Sequence, residues 1–222
     1  MGNYSVVVLD FETTGLSPDY GDRAIEIGAV LIENNRITER FSRLMNPGKQ
    51  VSRFIEEYTG ITNAMLAKAP PVDEVMHEFS AFMANHPLVA HNASFDRRFL
   101  DAELRRIGCQ RSQEMACSLL VSRRVYPDAP GHSLESLVRY KELPNDGVHH
   151  RALADAEMTG YLWTGIVRDL KSSYDLAQVP FELLQELSKV KKSAAQALLQ
   201  RFAAQNDAVW NTINSGRTEK EK

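Results

Sequence analysis

The residues with the clearest chemical potential are two acids at the end of an apolar run near the start of the chain. Asp10 and Glu12 follow Val6 to Leu9, and on a β-strand they would share one face because strand side chains alternate. Two buried carboxylates side by side repel each other, so the pair is costly unless a cation lies between them. A hard divalent cation, which prefers oxygen ligands, would suit it. An isolated Asp-x-Glu is more often an acidic strand end that faces solvent.

A third acid, Asp96, follows another short apolar run and the turn His91-Asn92. Ser94 is expected to cap a helix that continues to about residue 107. Asp96 would then lie in the first helical turn, where the helix dipole favours its charged form. Taken alone, this is the ordinary chemistry of a helix start.

The last cluster places His150 five residues before Asp155, where a helix over 152–170 is predicted. Residues five apart on one helix point to different sides, since each step turns about 100°. Both side chains can therefore reach one site only if His150 lies on the preceding loop. A histidine there can accept and release a proton near neutral pH. The alternative interpretation is that His149 and His150 are two solvent-exposed histidines before an ordinary helix.

The pattern around these clusters predicts an α/β protein. Strands are indicated over residues 4–10, 24–32, 37–45 and 88–90. Helical spacing is found within residues 54–67, 72–85, 94–107, 133–140 and 152–170. Three strands followed by helices alternating with short strands are typical of a mixed sheet covered by helices.

The composition narrows the class of protein. The chain has 222 residues, 43% of them hydrophobic, which is enough for a sizeable core. Its two cysteines, Cys109 and Cys117, cannot form a disulfide framework and favour a reducing compartment. No apolar run reaches the roughly 20 residues of a membrane helix. The first apolar run lacks a basic flank, so we expect no signal peptide and a cytoplasmic protein. The formal charge of −3 does not by itself indicate a partner.

Taken together, the clusters occur in the order Asp-x-Glu, Asp, His-x4-Asp. With their surroundings, they resemble the DEDDh subgroup of the DnaQ-like 3′–5′ exonuclease superfamily, which includes the proofreading subunits of replicative polymerases. The similar segments lie between residue 4 and about residue 165, and they read VVVLDFETTGL, AIEIGAV, LVAHNASFDRRFL, HSLESL and HHRALADAE. The resemblance implies an RNase H-like fold, with a mixed five-stranded sheet flanked by helices, and a C-terminal helical extension is expected beyond the segment that the resemblance covers.

The resemblance also implies a metal site. Its ligands would be Asp10, Glu12, Asp96 and Asp155. In the family, two divalent ions, usually Mg²⁺ or Mn²⁺, flank the scissile phosphate. Asp10 would contact both ions, with Asp96 supporting one of them through water. His150 would be the general base that takes a proton from the attacking water, and the product would be a nucleoside 5′-monophosphate.

The implied substrate is the 3′ end of a single-stranded or frayed nucleic acid. Thr13 and Phe95 match positions that hold the 3′-terminal nucleotide in relatives. Many relatives have His where this chain has Thr59, so the contact on that side is in doubt. Glu26 matches a common acid of the family and receives only a supporting role.

Several functional alternatives stay open or are set aside. DNA is favoured as the substrate, while RNA 3′ ends or short oligoribonucleotides are the alternative. A non-catalytic nucleic-acid-binding or docking module is a distant possibility, because all five catalytic positions are filled. Phosphatases with Asp-x-Asp-Thr at a strand end fit poorly, since Glu12 replaces the second Asp and that chemistry has no use for His150 and Asp155.

The chain beyond residue 173 has a different character. Apolar residues recur from Phe181 to Ile213 with helical spacing, which predicts an exonuclease domain over 1–173, a helical extension over 174–214 and a disordered tail over 215–222. A stripe of this length needs a partner surface. That surface could be the domain itself, a second copy in a homodimer, or a polymerase or another replication or repair protein. We favour the first two and expect the catalytic core to survive without the extension.

Overall fold

The computed structural model describes residues 5–144 and 151–205, and a five-stranded mixed sheet lies at its centre. The strands are β1 (Ser5–Thr13), β2 (Ala24–Glu33), β3 (Arg36–Leu44), β4 (Leu88–Ala90) and β5 (Met115–Cys117). Their order is β3-β2-β1-β4-β5. The β1–β2 and β2–β3 pairs are antiparallel, whereas β1–β4 and β4–β5 are parallel. The predicted mixed five-stranded sheet is thus confirmed.

Helices cover both faces of the sheet. They are α1 (Arg53–Thr59), α2 (Asn63–Leu66), α3 (Val72–Met83), α4 (Ser94–Arg106), α5 (Ser118–Val125), α6 (Leu134–Tyr140), α7 (Ala152–Tyr174) and α8 (Phe181–Lys189), followed by a helical stretch over 195–205. Helices α3 and α4 pack on the face that carries Val7 and Leu9, and α5 to α8 pack on the face that carries Val6 and Val8. The strands β1 and β2 are buried on both faces because most of their residues are apolar, apart from a few acids such as Asp10, Glu12 and Glu26.

The edges of the sheet differ in how they are protected. Asn34 and Asn35 have φ values of 52° and 62° and form the tight turn into β3, and positive φ at both central residues is typical of two-residue hairpin turns. The edge strand β3 carries exposed Arg36, Glu39 and Arg40, and such charges discourage pairing with another chain. At the opposite edge, α8 packs on β5.

Two local features differ from expectation. Ser94 is the first residue of α4 and does not cap it, since Ala93 occupies the N-cap position. The prediction of a Ser94 cap was therefore wrong. Strand β5 and helix α5 were not predicted from the sequence.

The described part of the C-terminal extension packs on the protein's own core. Leu184 and Leu187 are fully buried, and the rings of Trp163 and Phe181 lie 6.3 Å apart. Removing the chain after Lys171 would uncover this surface, so the extension contributes to the stability of the remainder. The domain boundary at residue 174 stays a prediction, and residues 206–222, including the predicted tail, lie outside the described residues.

Candidate active site

Strand β1 and helix α7 bring three of the predicted acids together. Asp10 and Glu12 lie on the face of β1 that α7 covers, while Phe11 points to the other face. Asp155 lies in the first turn of α7. Carboxylate oxygens of Asp10, Glu12 and Asp155 all lie within 4.8 Å of one another. A cluster of this size matches what a cation held by carboxylates requires.

Asp96 reaches the same place from the opposite face of the sheet. It lies in the first turn of α4 and is 2% exposed. Its Oδ1 accepts a hydrogen bond of 3.2 Å from the backbone N–H of Phe11. Because Phe11 separates Asp10 from Glu12 in the chain, this bond fixes the Asp96 carboxylate directly beside the three-acid cluster.

Burial raises the pKa of three of these acids, and neighbouring negative charges raise those of Asp10 and Glu12 further. Burial raises the pKa of Asp10 well above its ordinary value, and the negative charges of Asp96, Asp155 and Glu12 add to the rise. Burial also raises the pKa of Glu12 to about 8 and that of Asp96 to about 7. Their charged forms are thus unfavourable without a counter-ion. A set of oxygen donors alone suits Mg²⁺, Mn²⁺ or another hard cation, so the residues fit the predicted metal.

Helix α7 begins in direct contact with β2. Gly28 pairs with Asp10 across the strands. A Cβ atom on Gly28 would lie 2.1 Å from the backbone carbon of Ala152, so only glycine permits this approach. The neighbouring Glu26, which pairs with Glu12, is 1% exposed and accepts hydrogen bonds from Arg151 and from the N–H of Ala152. The sequence singled out neither Gly28 nor Arg151, although an acid inside the apolar strand β2 was a signal that a partner must exist.

The two predicted nucleotide contacts lie next to the acids along the chain. Thr13 follows Glu12, is 7% exposed, and donates its hydroxyl hydrogen bond to the carbonyl of Gly15 at 2.6 Å. Phe95 precedes Asp96 and packs on Phe99, with ring centroids 4.9 Å apart. Their contact with a nucleotide stays a prediction.

Helix α1 carries an exposed aromatic pair that the sequence pattern did not single out. Phe54 and Tyr58 are 69% and 51% exposed, and their rings stack 5.9 Å apart at an angle of 12°. Burial raises the pKa of Tyr58, and the charges of Glu12 and Asp155 raise it further, so Tyr58 lies near the acid cluster. The spacing of two aromatics four residues apart on a short helix was the available signal.

Thr59 stands where many relatives have His, and its side chain bonds back to the backbone of α1. It is 5% exposed. Its hydroxyl donates to the carbonyl of Ile55 at 2.8 Å and accepts from the N–H of Ile61 at 3.1 Å. The hydroxyl is thus already used within the turn that ends α1.

Of the histidines near the candidate site, the structure describes His91 but not the predicted base. The predicted base His150 and its neighbour His149 lie outside the described residues. His91 has a structural place: its Nε2 donates to the carbonyl of His132 at 3.0 Å, and its Nδ1 bonds to the Ser118 hydroxyl at 2.9 Å. A carbonyl only accepts, so Nε2 carries the proton. Burial lowers the pKa of His91 to about 4, which keeps the ring neutral at pH 7.

The fold and the acid cluster agree with the family to which the chain can be assigned. Residues 7–163 match the family model described as Exonuclease (RNase_T). This match covers well over half of the chain, which therefore belongs to that exonuclease family within the DnaQ-like superfamily.

Two kinds of relatives accompany the family match. The 3′–5′ exonuclease DinG of Bacillus subtilis is 38% identical over 210 residues, covering 93% of this chain and 22% of that protein. The PolC-type DNA polymerase III of Bacillus cereus is 39% identical over 165 residues, covering 74% of this chain and 11% of that protein. This chain thus spans less than a quarter of the length of these curated relatives.

Solved structures share the fold. Exonuclease X in complex with 5′ overhanging duplex DNA is 26% identical with a TM-score of 0.65, covering 82% of this chain and 99% of that one. The nuclease domain of 3′hExo, a DEDDh family member bound to rAMP, is 19% identical with a TM-score of 0.65, covering 76% and 94%. The second likeness shows the fold alone. The predicted RNase H-like architecture is confirmed by these neighbours. Among residues 5–144 and 151–205, no helix is both long and apolar enough to cross a membrane.

Proposed function

We propose that this chain is a metal-dependent 3′–5′ exonuclease domain of the DEDDh type, which hydrolyses the 3′-terminal phosphodiester of a nucleic acid and releases nucleoside 5′-monophosphates. One observation carries the proposal: in a chain of the exonuclease family, Asp10, Glu12 and Asp155 have carboxylate oxygens within 4.8 Å of one another. Asp96 lies beside them through its bond to the Phe11 backbone.

The acids would hold two divalent ions, Mg²⁺ or Mn²⁺. Asp10, Glu12 and Asp155 would hold one of them, and Asp10 with Asp96 the other. When bound, such ions stabilise the charge that develops on the attacking and leaving oxygens of an in-line displacement. The protein contributes the fixed orientation of the carboxylates, which the Phe11 N–H supports at Asp96 and the first turn of α7 supports at Asp155.

His150 would act as the general base. A histidine with an ordinary pKa is half-deprotonated near pH 6.5, and it can therefore take a proton from water at neutral pH. Its position along the chain supports the assignment, because it immediately precedes Arg151, the N-cap residue of α7. Asp155 lies in the first turn of the same helix.

The substrate would be the 3′ end of single-stranded or frayed DNA. Thr13 and Phe95 would hold the terminal nucleotide. The stacked and exposed rings of Phe54 and Tyr58 offer π-faces on which unpaired bases can stack. The names of the relatives support DNA and a role in replication or repair, in which a polymerase or another protein of those processes would be the partner.

A panel of labelled substrates tests the proposal. The panel contains single-stranded DNA, a primer–template with a mismatched 3′ end, and single-stranded RNA of the same sequence. Each is incubated with the full chain in Mg²⁺, Mn²⁺ or EDTA, and the products are identified by mass spectrometry. We expect stepwise shortening from the 3′ end with release of 5′-monophosphates, fastest on single-stranded or mismatched DNA. Full activity in EDTA would refute the metal requirement, and faster cleavage of RNA would reassign the substrate.

A further inference from the structure

Glu26 is a buried acid next to the cluster, but its carboxylate is already engaged. It is 1% exposed, and its oxygens accept hydrogen bonds from Nε of Arg151 at 3.1 and 3.2 Å and from Nη2 at 2.7 Å. One oxygen also accepts from the backbone N–H of Ala152 at 3.0 Å. With its charge paired and its lone pairs occupied, Glu26 is not placed to be a further metal ligand.

The Ala152 bond gives Glu26 the role of a helix cap supplied from a distant strand. The first N–H groups of a helix have no partner within the helix. Arg151 is the N-cap residue of α7, and its own side chain makes no capping bond. Glu26, 126 positions earlier in the chain, accepts from the first of these N–H groups. Its negative charge also suits the positive end of the helix dipole.

The position of this cap matters because of what the first turn carries. Asp155 lies in the first turn of α7, and helix ends are the parts that fray. The apolar contacts of α7, such as those of Leu162 and Trp163, hold the middle of the helix to the sheet. Gly28 allows the first turn to lie on β2. Among the hydrogen bonds described for Arg151 and Ala152, those that connect this turn to the sheet are all accepted by Glu26.

We propose that Glu26 and Arg151 are positioning residues, which hold the first turn of α7 on β2 and thereby set the Asp155 carboxylate against Asp10 and Glu12. We call this pair the Glu26–Arg151 anchor. The inference rests on the proposed metal-dependent hydrolysis, and it adds that the affinity for the metal depends on two residues that do not contact it.

Direct metal binding by the full chain tests the anchor. Mn²⁺ binding is measured by calorimetry for the wild type, Glu26→Gln, Arg151→Met and Arg151→Lys. Partners that orient metal ligands typically change affinity or activity by about 10- to 100-fold. We expect Glu26→Gln and Arg151→Met to weaken Mn²⁺ binding by that factor, and Arg151→Lys to restore part of the loss. In hydrolysis of labelled single-stranded DNA, kcat should fall while KM for the DNA stays unchanged.

Arg151→Met separates positioning from charge. If Arg151 acted only through its charge, removing it would leave the site more negative and Mn²⁺ would bind more tightly. Positioning makes the opposite prediction, so tighter binding by Arg151→Met would overturn the inference. Arg151 is 40% exposed on its side chain, so this variant should fold and keeps the test decisive if Glu26→Gln does not fold.

The matched control is Glu103→Gln. Glu103 is 0% exposed and accepts from Arg23, from the N–H of Ala24 and from Arg106, and none of these described partners lies on α7. This variant should lower the melting temperature and leave Mn²⁺ affinity unchanged. Equal loss of affinity in Glu103→Gln and Glu26→Gln would mean a general loss of stability and would overturn the anchor. If the wild type hydrolyses no nucleic acid while the affinities keep the expected order, the proposed function is wrong and the positioning of Asp155 is still supported.

Discussion

Glu26 and Glu103 are two buried carboxylates with nearly the same surroundings. Glu26 accepts hydrogen bonds from the side chain of Arg151 and from the backbone N–H of the next residue, Ala152. Glu103 likewise accepts from the side chain of Arg23 and from the backbone N–H of Ala24. Glu103 also pairs with Arg106 at 3.0 Å. Both arrangements satisfy a buried charge, as burial requires.

The two clusters differ in the element that they hold. The Glu103 cluster joins the last part of α4 to the start of β2, where Ala24 pairs with Thr13, whereas Asp96 lies in the first turn of α4. The Glu26–Arg151 anchor joins β2 to the start of α7, whose first turn carries Asp155. A buried ion pair is therefore not a sign of function in itself. Its contribution depends on the residue that becomes misplaced when the pair is broken.

The largest expected effect is a loss of turnover when a predicted metal ligand is replaced, which replacing Glu103 should not cause. Asp10→Ala or Asp155→Ala should lower turnover by roughly 10³-fold or more, because each acid organises the charge that stabilises the transition state. Glu103→Gln should leave turnover per folded molecule unchanged but lower the free energy of unfolding by about 1.5–3 kcal/mol. Initial rates on labelled single-stranded DNA and urea denaturation measure the two quantities. Full activity of either aspartate variant in Mg²⁺ would end the two-metal interpretation.

Replacing His150 tests whether the segment at the start of α7 supplies a general base in addition to the metal ligand Asp155. His150→Ala should slow hydrolysis by about 10²- to 10⁴-fold while metal binding is kept. Because the base must be deprotonated, the wild-type rate should rise with pH through a histidine-like ionisation, and the variant should lose this rise. A pH–rate profile with and without the substitution measures it. An unchanged profile would shift the assignment to His149.

Much of the site could be predicted because its parts are local. Alternation along β1 predicts that Asp10 and Glu12 share a face, and the structure has them there. The spacing of His150 and Asp155 predicts that the base lies on a loop, and His150 lies outside the described residues. The catalytic roles of all these residues stay predictions.

Other features could not be predicted because they depend on contacts between distant segments. Glu26 and Arg151 are 125 positions apart, so neither residue alone indicates the other. Likewise, the proximity of Tyr58 to the acids depends on how α1 packs, and periodicity alone does not give that packing. The apolar stripe of α8 predicts that one face of this helix is buried, but it does not indicate which elements cover that face. In the structure, α8 packs on α5 and β5.

The aromatic pair on α1 tests substrate contact apart from the chemistry of the acids. Phe54→Ala and Tyr58→Ala each remove a stacking surface worth about 1–3 kcal/mol per base. We expect roughly 5- to 150-fold weaker binding of single-stranded DNA, measured by fluorescence anisotropy with the inactive Asp10→Ala protein. Hydrolysis of a small mononucleotide ester by the otherwise active protein should change little. Tyr140→Ala, an exposed tyrosine on α6, is the control, and an equal loss in that variant would rule out a specific contact.

The smallest expected effect is a difference between the two glutamate variants in how far Mg²⁺ raises the melting temperature. A ligand at ten times its Kd stabilises the folded state by about 1.4 kcal/mol, which is roughly 3–6 °C for a chain of this length. Mg²⁺ at that concentration should therefore raise the melting temperature of the wild type and of Glu103→Gln by the same amount. Asp10→Ala should show no rise. In Glu26→Gln, a Kd about tenfold weaker leaves only about 0.4 kcal/mol at the same Mg²⁺ concentration, or roughly 1–2 °C. Differential scanning calorimetry against an EDTA baseline resolves these shifts, and a full Mg²⁺ response in Glu26→Gln would place Glu26 with Glu103 as a residue of stability alone.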